Sequence, residues 1–158
     1  MKKIVSVIGQ SDSTEEQYSH AYELGRLLAQ AGYAIVCGGM GGVMEAVARG
    51  AAESDGMCIG LLPGSDPESG NAYLTLAIPT GLGHVRNTLV VRAGEIVIAI
   101  GGGYGTLSEI AFALTMGKVV IGINTWSAES HASIPADVVR VGSATDAVRY
   151  IQQNLEGG

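Results

Sequence analysis

A chain of 158 residues, 47% hydrophobic but only 5% aromatic and 15% charged, reads as one domain whose core is built from Ala, Val, Ile and Leu. Such a core suits a parallel sheet covered by helices. The net charge of −6 and a pI near 4.9 exclude a general nucleic-acid or membrane-surface binder, but not a small phosphorylated ligand held by local donors.

Apolar and polar runs alternate along the whole chain. Ile4 to Gly9 reads as a strand, too short for a signal sequence, and no stretch approaches a membrane span; a cytoplasmic location is expected. Ser13-Thr14-Glu15-Glu16 reads as a capping box opening a helix with Ala21, Leu24, Leu27, Leu28 and Ala31 at helical spacing. After Gly32, Tyr33 to Cys37 forms a second strand. Gly38-Gly39-Met40-Gly41-Gly42 then turns into a helix carrying Val43, Met44, Val47, Ala48 and Ala51. Met57 to Leu62 is a third strand, Pro63 to Asn71 a loop of turn residues, and Leu74 to Ile78 a fourth, shorter strand.

A helix is expected from His84 to Ala93, and a fifth strand from Glu95 to Ile100. The run Gly101-Gly102-Gly103-Tyr104-Gly105-Thr106-Leu107-Ser108-Glu109 leads into a helix ending at Gly117. Val119 to Ile123 is a sixth strand, Asn124 to Pro135 a polar loop, and Val138 to Val141 a short edge strand. A last helix runs from Ser143 through Leu155. This alternation predicts an α/β fold, with a doubly wound, mostly parallel, Rossmann-like sheet and helices on both faces, in a single domain over residues 1–158.

Glycine, at 24 of 158 residues, is about twice as frequent as the usual ~7%, and the excess belongs to turns. Two of these turns, Gly38 to Gly42 and Gly101 to Gly105, stand where a strand enters a helix. Glycine lets backbone approach a ligand closely, and a helix N-terminus offers free N–H groups and a positive dipole end. Together the turns predict a two-part anion site whose first candidate occupant is a phosphate. Neither turn fits the dinucleotide fingerprint, since Ser108 stands at the third glycine position, and no Lys-Ser or Lys-Thr follows as in a nucleoside-triphosphate loop.

Thr106 and Glu109 form Thr-x-x-Glu, which is a capping box by itself; alternatively Glu109 faces the cleft and acts on water or a cationic sugar. Glu45, after the first turn, suits a helix N-terminus. Arg86 lies in a first helical turn, where a cation opposes the dipole; it is either a forked phosphate ligand or a solvated surface arginine. Arg92 shares a helical face with Val85 and Leu89, which predicts partial cover and a carboxylate or neighbouring-subunit partner. His84 could aid binding, while His20 and His131 fall on a polar helix face and in a loop. Cys37 and Cys58, in apolar runs, read as buried reduced thiols, and no metal cluster is predicted.

The motif Cys37-Gly38-Gly39-Met40-Gly41-Gly42-Val43-Met44, then Arg86, then Gly101 to Glu109 resembles the LOG-like superfamily over about residues 3 to 125. That superfamily includes the cytokinin-activating nucleoside 5′-monophosphate phosphoribohydrolases, long mislabelled lysine decarboxylases, and the molybdenum cofactor carrier proteins. The hydrolase motif Pro-Gly-Gly-x-Gly-Thr-x-x-Glu matches Gly102, Gly103, Gly105, Thr106 and Glu109, and the family's catalytic Arg and Glu fall on Arg86 and Glu109. Gly101 replaces the proline, Ser108 the first of two acidic residues, and Asn87 a lysine; Cys37 and Glu45 each stand for a glycine. The triple-glycine form resembles the carrier-like and uncharacterised bacterial branch more than the hydrolases.

The resemblance implies binding of a phosphorylated purine nucleotide or pterin at Gly38, Gly39, Gly41, Gly42, Gly102, Gly103, Tyr104 and Gly105, with Thr106 and Arg86 assisting. The alternative it implies is N-glycosidic hydrolysis of a nucleoside 5′-monophosphate to free base and ribose 5-phosphate through Arg86 and Glu109. No cofactor is required on either reading; the expected occupant is a bound phosphate or nucleotide. Lysine decarboxylation is disfavoured, because Lys2, Lys3 and Lys118 are the only lysines and none lies in a glycine motif. A homodimer is implied by the family, with support from apolar positions between Val85 and Val91 and between Ile110 and Met116. Nucleic acid and membrane are not expected partners.

Overall fold

Short β-branched runs build the sheet and Ala-rich amphipathic segments cover it. The computed structural model describes residues 1–126 and 138–155. Its strands are β1 (Ile4–Gly9), β2 (Ala34–Cys37), β3 (Met57–Leu62), β4 (Leu76–Pro79), β5 (Ile96–Ile100), β6 (Val119–Ile123) and β7 (Val139–Val141). The helices are α1 (Glu15–Gln30), α2 (Val43–Ala52), α3 (Arg86–Ala93), α4 (Tyr104–Thr115) and α5 (Ala144–Asn154). Most of the loop expected over Asn124 to Pro135, His131 included, lies outside the described residues.

One seven-stranded sheet runs in the order β4-β3-β2-β1-β5-β6-β7, and every pairing in it is parallel. The alternation thus means what it predicted, a doubly wound α/β fold. Strands β2 and β5 are buried at every position, as strands covered on both faces must be. Leu24 and Leu28 of α1, Val47 of α2 and Ile151 of α5 share one core layer; Val90 and Val91 of α3 and Ile110 of α4 share the other. Where α1 crosses α2, Gly25 and Gly50 lie against the carbonyls of Val47 and Tyr22, so that no Cβ fits at either.

From β1 the chain winds outward to β4, then returns to place β5 on the other side of β1. The switch point between β1 and β5 lies at the carboxyl edge, where open α/β sheets bind ligands. A buried latch ties α3 to this centre: Ser6 Oγ donates to the Val90 carbonyl at 2.5 Å and accepts from the Gly94 N–H at 2.9 Å.

Several boundaries differ from expectation for local reasons. The α1 capping box is Thr14 with Gln17, one residue later than Ser13 with Glu16, because Thr14 has the extended backbone a cap needs. The strand expected from Leu74 begins at Leu76; Asn71 instead turns the backbone, its side chain accepting from the Tyr73 N–H at 3.1 Å. Residues Gly83–Val85 form a short 3-10 turn, so α3 starts at Arg86 rather than His84. Arg92 is exposed, not covered: it points away from the face that Val90 and Val91 bury.

Candidate functional site

The two glycine turns and the end of β1 meet at the carboxyl edge, since β2, β1 and β5 are adjacent. In the first turn, Gly39 and Gly42 have φ of +76° and +59°, a region that disfavours side chains. Gly42 is the N-cap of α2 and gives no side-chain cap, while the Gln10 carbonyl accepts the Val43 N–H at 3.2 Å. In the second turn, Gly101 and Gly102 have φ of +54° and +112°, with Gln17 packed over the first and Thr106 over the second.

Other glycines in these turns have no such reason within the protein. A Cβ on Gly105 would meet nothing within 4 Å, and on Gly41 or Gly103 only an ordinary contact at 3.6 Å. Their missing side chains leave open space over the first turns of α2 and α4.

Helix α4 starts at Tyr104 with Gly103 as its N-cap and no side-chain cap. This overturns the reading of Thr106 and Glu109 as a capping box. Thr106 is the third residue inside the helix and Glu109 stands a turn further on, so Glu109 cannot reach back to the helix end. Both are buried instead, Thr106 to 3% exposure and Glu109 to 7%. Arg86 is likewise no surface arginine, being only 8% exposed.

The Arg86 guanidinium lies beneath the first turn. Its Nη2 donates to the Gly38 carbonyl at 3.4 Å and its Nη1 to the Asn87 side-chain oxygen, while Nε has no partner. Burial lowers the Arg86 pKa, opposed by the Glu109 charge and then by Cys37. Burial pushes the Glu109 carboxyl up to about 7, and Arg86 holds it back only in part. Arg26–Glu23 and Arg49–Glu53 form ion pairs on helix surfaces, whereas Arg86 and Glu109 do not close into one. A buried acid whose carboxyl is pushed up to about 7 and an incompletely bonded arginine thus stand close enough to interact.

The thiols of Cys37 and Cys58 are free and buried, 3.8 Å apart. The Cys58 S–H lowers the Cys37 pKa, and the same contact raises that of Cys58. Glu45 stands in the first turn of α2 and accepts from the Tyr18 hydroxyl at 3.3 Å, while His84 is exposed in the 3-10 turn that precedes α3.

Residues at this edge that sequence reasoning did not single out are Gln10, Thr125 and Trp126. Asn124, with φ of +48°, turns the chain after β6 and brings both of its successors over the second glycine turn. Thr125 Oγ1 donates to the Gly101 carbonyl at 2.5 Å; Trp126 Nε1 lies 3.2 Å from both the Gly102 and the Gly103 carbonyl. Their position just past the carboxyl ends of β1 and β6 was the available signal.

Three comparisons bear on this arrangement. The chain is 34% identical to the molybdenum cofactor binding protein of the phototrophic bacterium Rippkaea orientalis, covering 97% of each chain with a TM-score of 0.90. It is 31% identical to the molybdenum cofactor carrier protein of Chlamydomonas reinhardtii, covering 99% of each with a TM-score of 0.86. An uncharacterised Archaeoglobus fulgidus protein is 43% identical over 116 residues, 73% of this chain and 76% of that protein. The model of the SLOG cluster4 family matches residues 2–151. With the paired glycine turns and a fold shared end to end with carrier proteins, the chain belongs to the SLOG cluster4 family, on the molybdenum cofactor carrier-like side of the LOG-like superfamily.

Proposed function

We propose that this protein binds a phosphorylated pterin or purine-nucleotide-type small molecule, with the phosphate on the glycine turns. The carrying observation is the open space over Gly41, Gly103 and Gly105, glycines that no contact or backbone angle within the protein requires. In this reading the uncapped N–H groups of α4 and α2 donate to the phosphate at Gly38 to Gly42 and Gly102 to Gly105. The hydroxyl of Thr106 and the positive charge of Arg86 assist, the guanidinium lying buried beneath the first turn with its Nε unpartnered. The likeness to molybdenum cofactor carriers supports a pterin, because that cofactor is a pterin bearing a phosphate. The residues suit such cargo: the donors are neutral N–H groups and one guanidinium, and the backbone is bare where the ligand must approach.

Exposed Val85, Leu89 and Phe112 on the α3–α4 face support a homodimer through those helices, tested by sedimentation. The binding itself is tested by thermal stabilisation with a pterin monophosphate, GMP and inorganic phosphate. Stabilisation by the phosphorylated compounds is expected, with a smaller response to unphosphorylated pterin or guanosine; no response to any phosphorylated compound overturns the reading.

Glu109 supports a second reading, hydrolysis of a nucleoside 5′-monophosphate. A carboxyl titrating at about 7 can hold or give up a proton near neutral pH and, once ionised, stabilise an oxocarbenium-like ribose. Arg86 would orient the nucleotide. Release of free base from AMP, GMP or isopentenyl-AMP, abolished by Glu109→Gln, is the expected result on this reading; tight binding without release leaves the binding role alone.

A further inference from the structure

Two aromatic rings stand at the second glycine turn in a way the phosphate site does not use. Tyr104 is the first residue of α4 and is 83% exposed, unusual for a large ring with nothing charged to solvate. Its ring stacks on that of Trp126, with centroids 6.2 Å apart and planes inclined by 24°. Trp126 is itself 39% exposed and anchored by its indole N–H to the carbonyls of Gly102 and Gly103. The pair is therefore tied to the very backbone that turns into α4. Trp126 stands against Tyr104, whose ring is otherwise open to solvent beside the room left by Gly103 and Gly105.

The geometry points to Tyr104 and Trp126 as the ring-binding wall of the site: a phosphorylated bicyclic heteroaromatic, seated by its phosphate on α4, stacks its ring on the open face of Tyr104. Trp126 backs Tyr104 and fixes its angle. This rests on the phosphate reading above and adds what selects the ligand. Backbone N–H groups recognise any phosphate, whereas an aromatic wall discriminates ligands that carry a flat ring from those that do not. Stacking is tolerant of ring identity, so pterin and purine share this wall.

The sequence contains a single tryptophan, so tryptophan emission, excited where tyrosine does not absorb, reports on this wall alone. The experiment titrates GMP, a pterin monophosphate, ribose 5-phosphate and inorganic phosphate into the protein, with affinity taken from calorimetry and Trp126 emission followed in parallel. Both ring-bearing ligands are expected to bind more tightly than ribose 5-phosphate and to perturb the emission. Tyr104→Ala should weaken them roughly 5- to 150-fold while leaving ribose 5-phosphate unchanged, and Tyr104→Phe should retain the affinity. The stronger of GMP and the pterin identifies the ring. Equal loss for ribose 5-phosphate and the ring-bearing ligands in Tyr104→Ala, or no loss at all, overturns the wall while the phosphate site stands. Absence of binding by all four to the unaltered protein overturns both.

Discussion

Helices α1 and α4 begin at the same edge of the sheet, after the neighbouring strands β1 and β5, yet their ends are built in opposite ways. The α1 end is closed. Thr14 Oγ1 accepts the Gln17 N–H at 3.2 Å, the Gln17 side chain accepts the Thr14 N–H at 3.1 Å, and Glu15 and Glu16 face the dipole. The α4 end has a glycine cap, no capping side chain and no acid in its first turn. Helix α5 resembles α1: Ser143 caps it and Asp146 lies in its first turn. Helix α4, which carries buried Glu109, thus leaves its first N–H groups without a capping side chain, as the proposed phosphate site requires.

The largest expected effect comes from closing the open end. Gly103 has an extended backbone, φ −92° and ψ −155°, and room for a side chain. Gly103→Asp should cap α4 and raise stability by roughly a few tenths of a kcal/mol. The same carboxylate would stand where the phosphate is proposed to sit, at a cost of several kcal/mol, or about 1,000-fold in affinity. Chemical denaturation and calorimetry with a pterin monophosphate separate the two effects. Stabilisation without loss of affinity would break the comparison, because the α4 end would then be merely uncapped.

Next comes the acid inside α4. Glu109 moves from 4.5 to about 7 on folding, through burial, so the folded state favours its protonated form. A raised folded-state value gives stability that is complete below about pH 4.5 and lost as pH rises through 7. The span of about 2.5 units corresponds to about 3 kcal/mol at most. Glu109→Gln should therefore be the more stable protein at pH 8 and differ little at pH 4.5 in urea denaturation. Parallel pH profiles for the two proteins would show that the carboxyl is not held in a desolvated site.

How far such contrasts could be read in advance differs by element. Strands and helices were legible because their periodicity is local, and Gly38 to Gly42 and Gly101 to Gly105 were legible because glycines cluster at strand ends. The choice between cap and buried acid for Glu109 was not. Thr106-x-x-Glu109 fits a capping box equally well until α4 is seen to start at Tyr104, two residues before Thr106. Arg86 was open for a similar reason: its burial depends on Gly38, 48 residues earlier in the chain. Trp126 was missed because its partners, Gly102 and Gly103, lie on a different strand's turn.

A third test removes the device that sets α3, and so Arg86, against the sheet. Ser6→Ala leaves the Val90 carbonyl and Gly94 N–H without their buried partner, at about 1–3 kcal/mol. The latch is at the far end of α3 from Arg86, so the loss should fall on denaturant midpoint, with affinity for GMP reduced only as α3 shifts. An affinity loss larger than the stability loss would place Ser6 in the site itself.

The smallest effect is expected at the closed end. Thr14→Ala should cost about 1 kcal/mol by opening the α1 cap, as side-chain N-caps generally contribute. Gln17 loses the Thr14 hydroxyl but keeps its contact with Gln10 at 3.4 Å and its place over Gly101. Ligand affinity should therefore stay within about twofold, since the freed N–H groups lie at the exposed start of α1, where Glu15 and Glu16 oppose an anion. Calorimetry with the pterin monophosphate checks this against urea denaturation of the same variant. If uncapping α1 instead created a second, equally strong phosphate site, an uncapped helix end alone would suffice for binding. The glycine turns and the buried arginine would then not be what distinguishes α4.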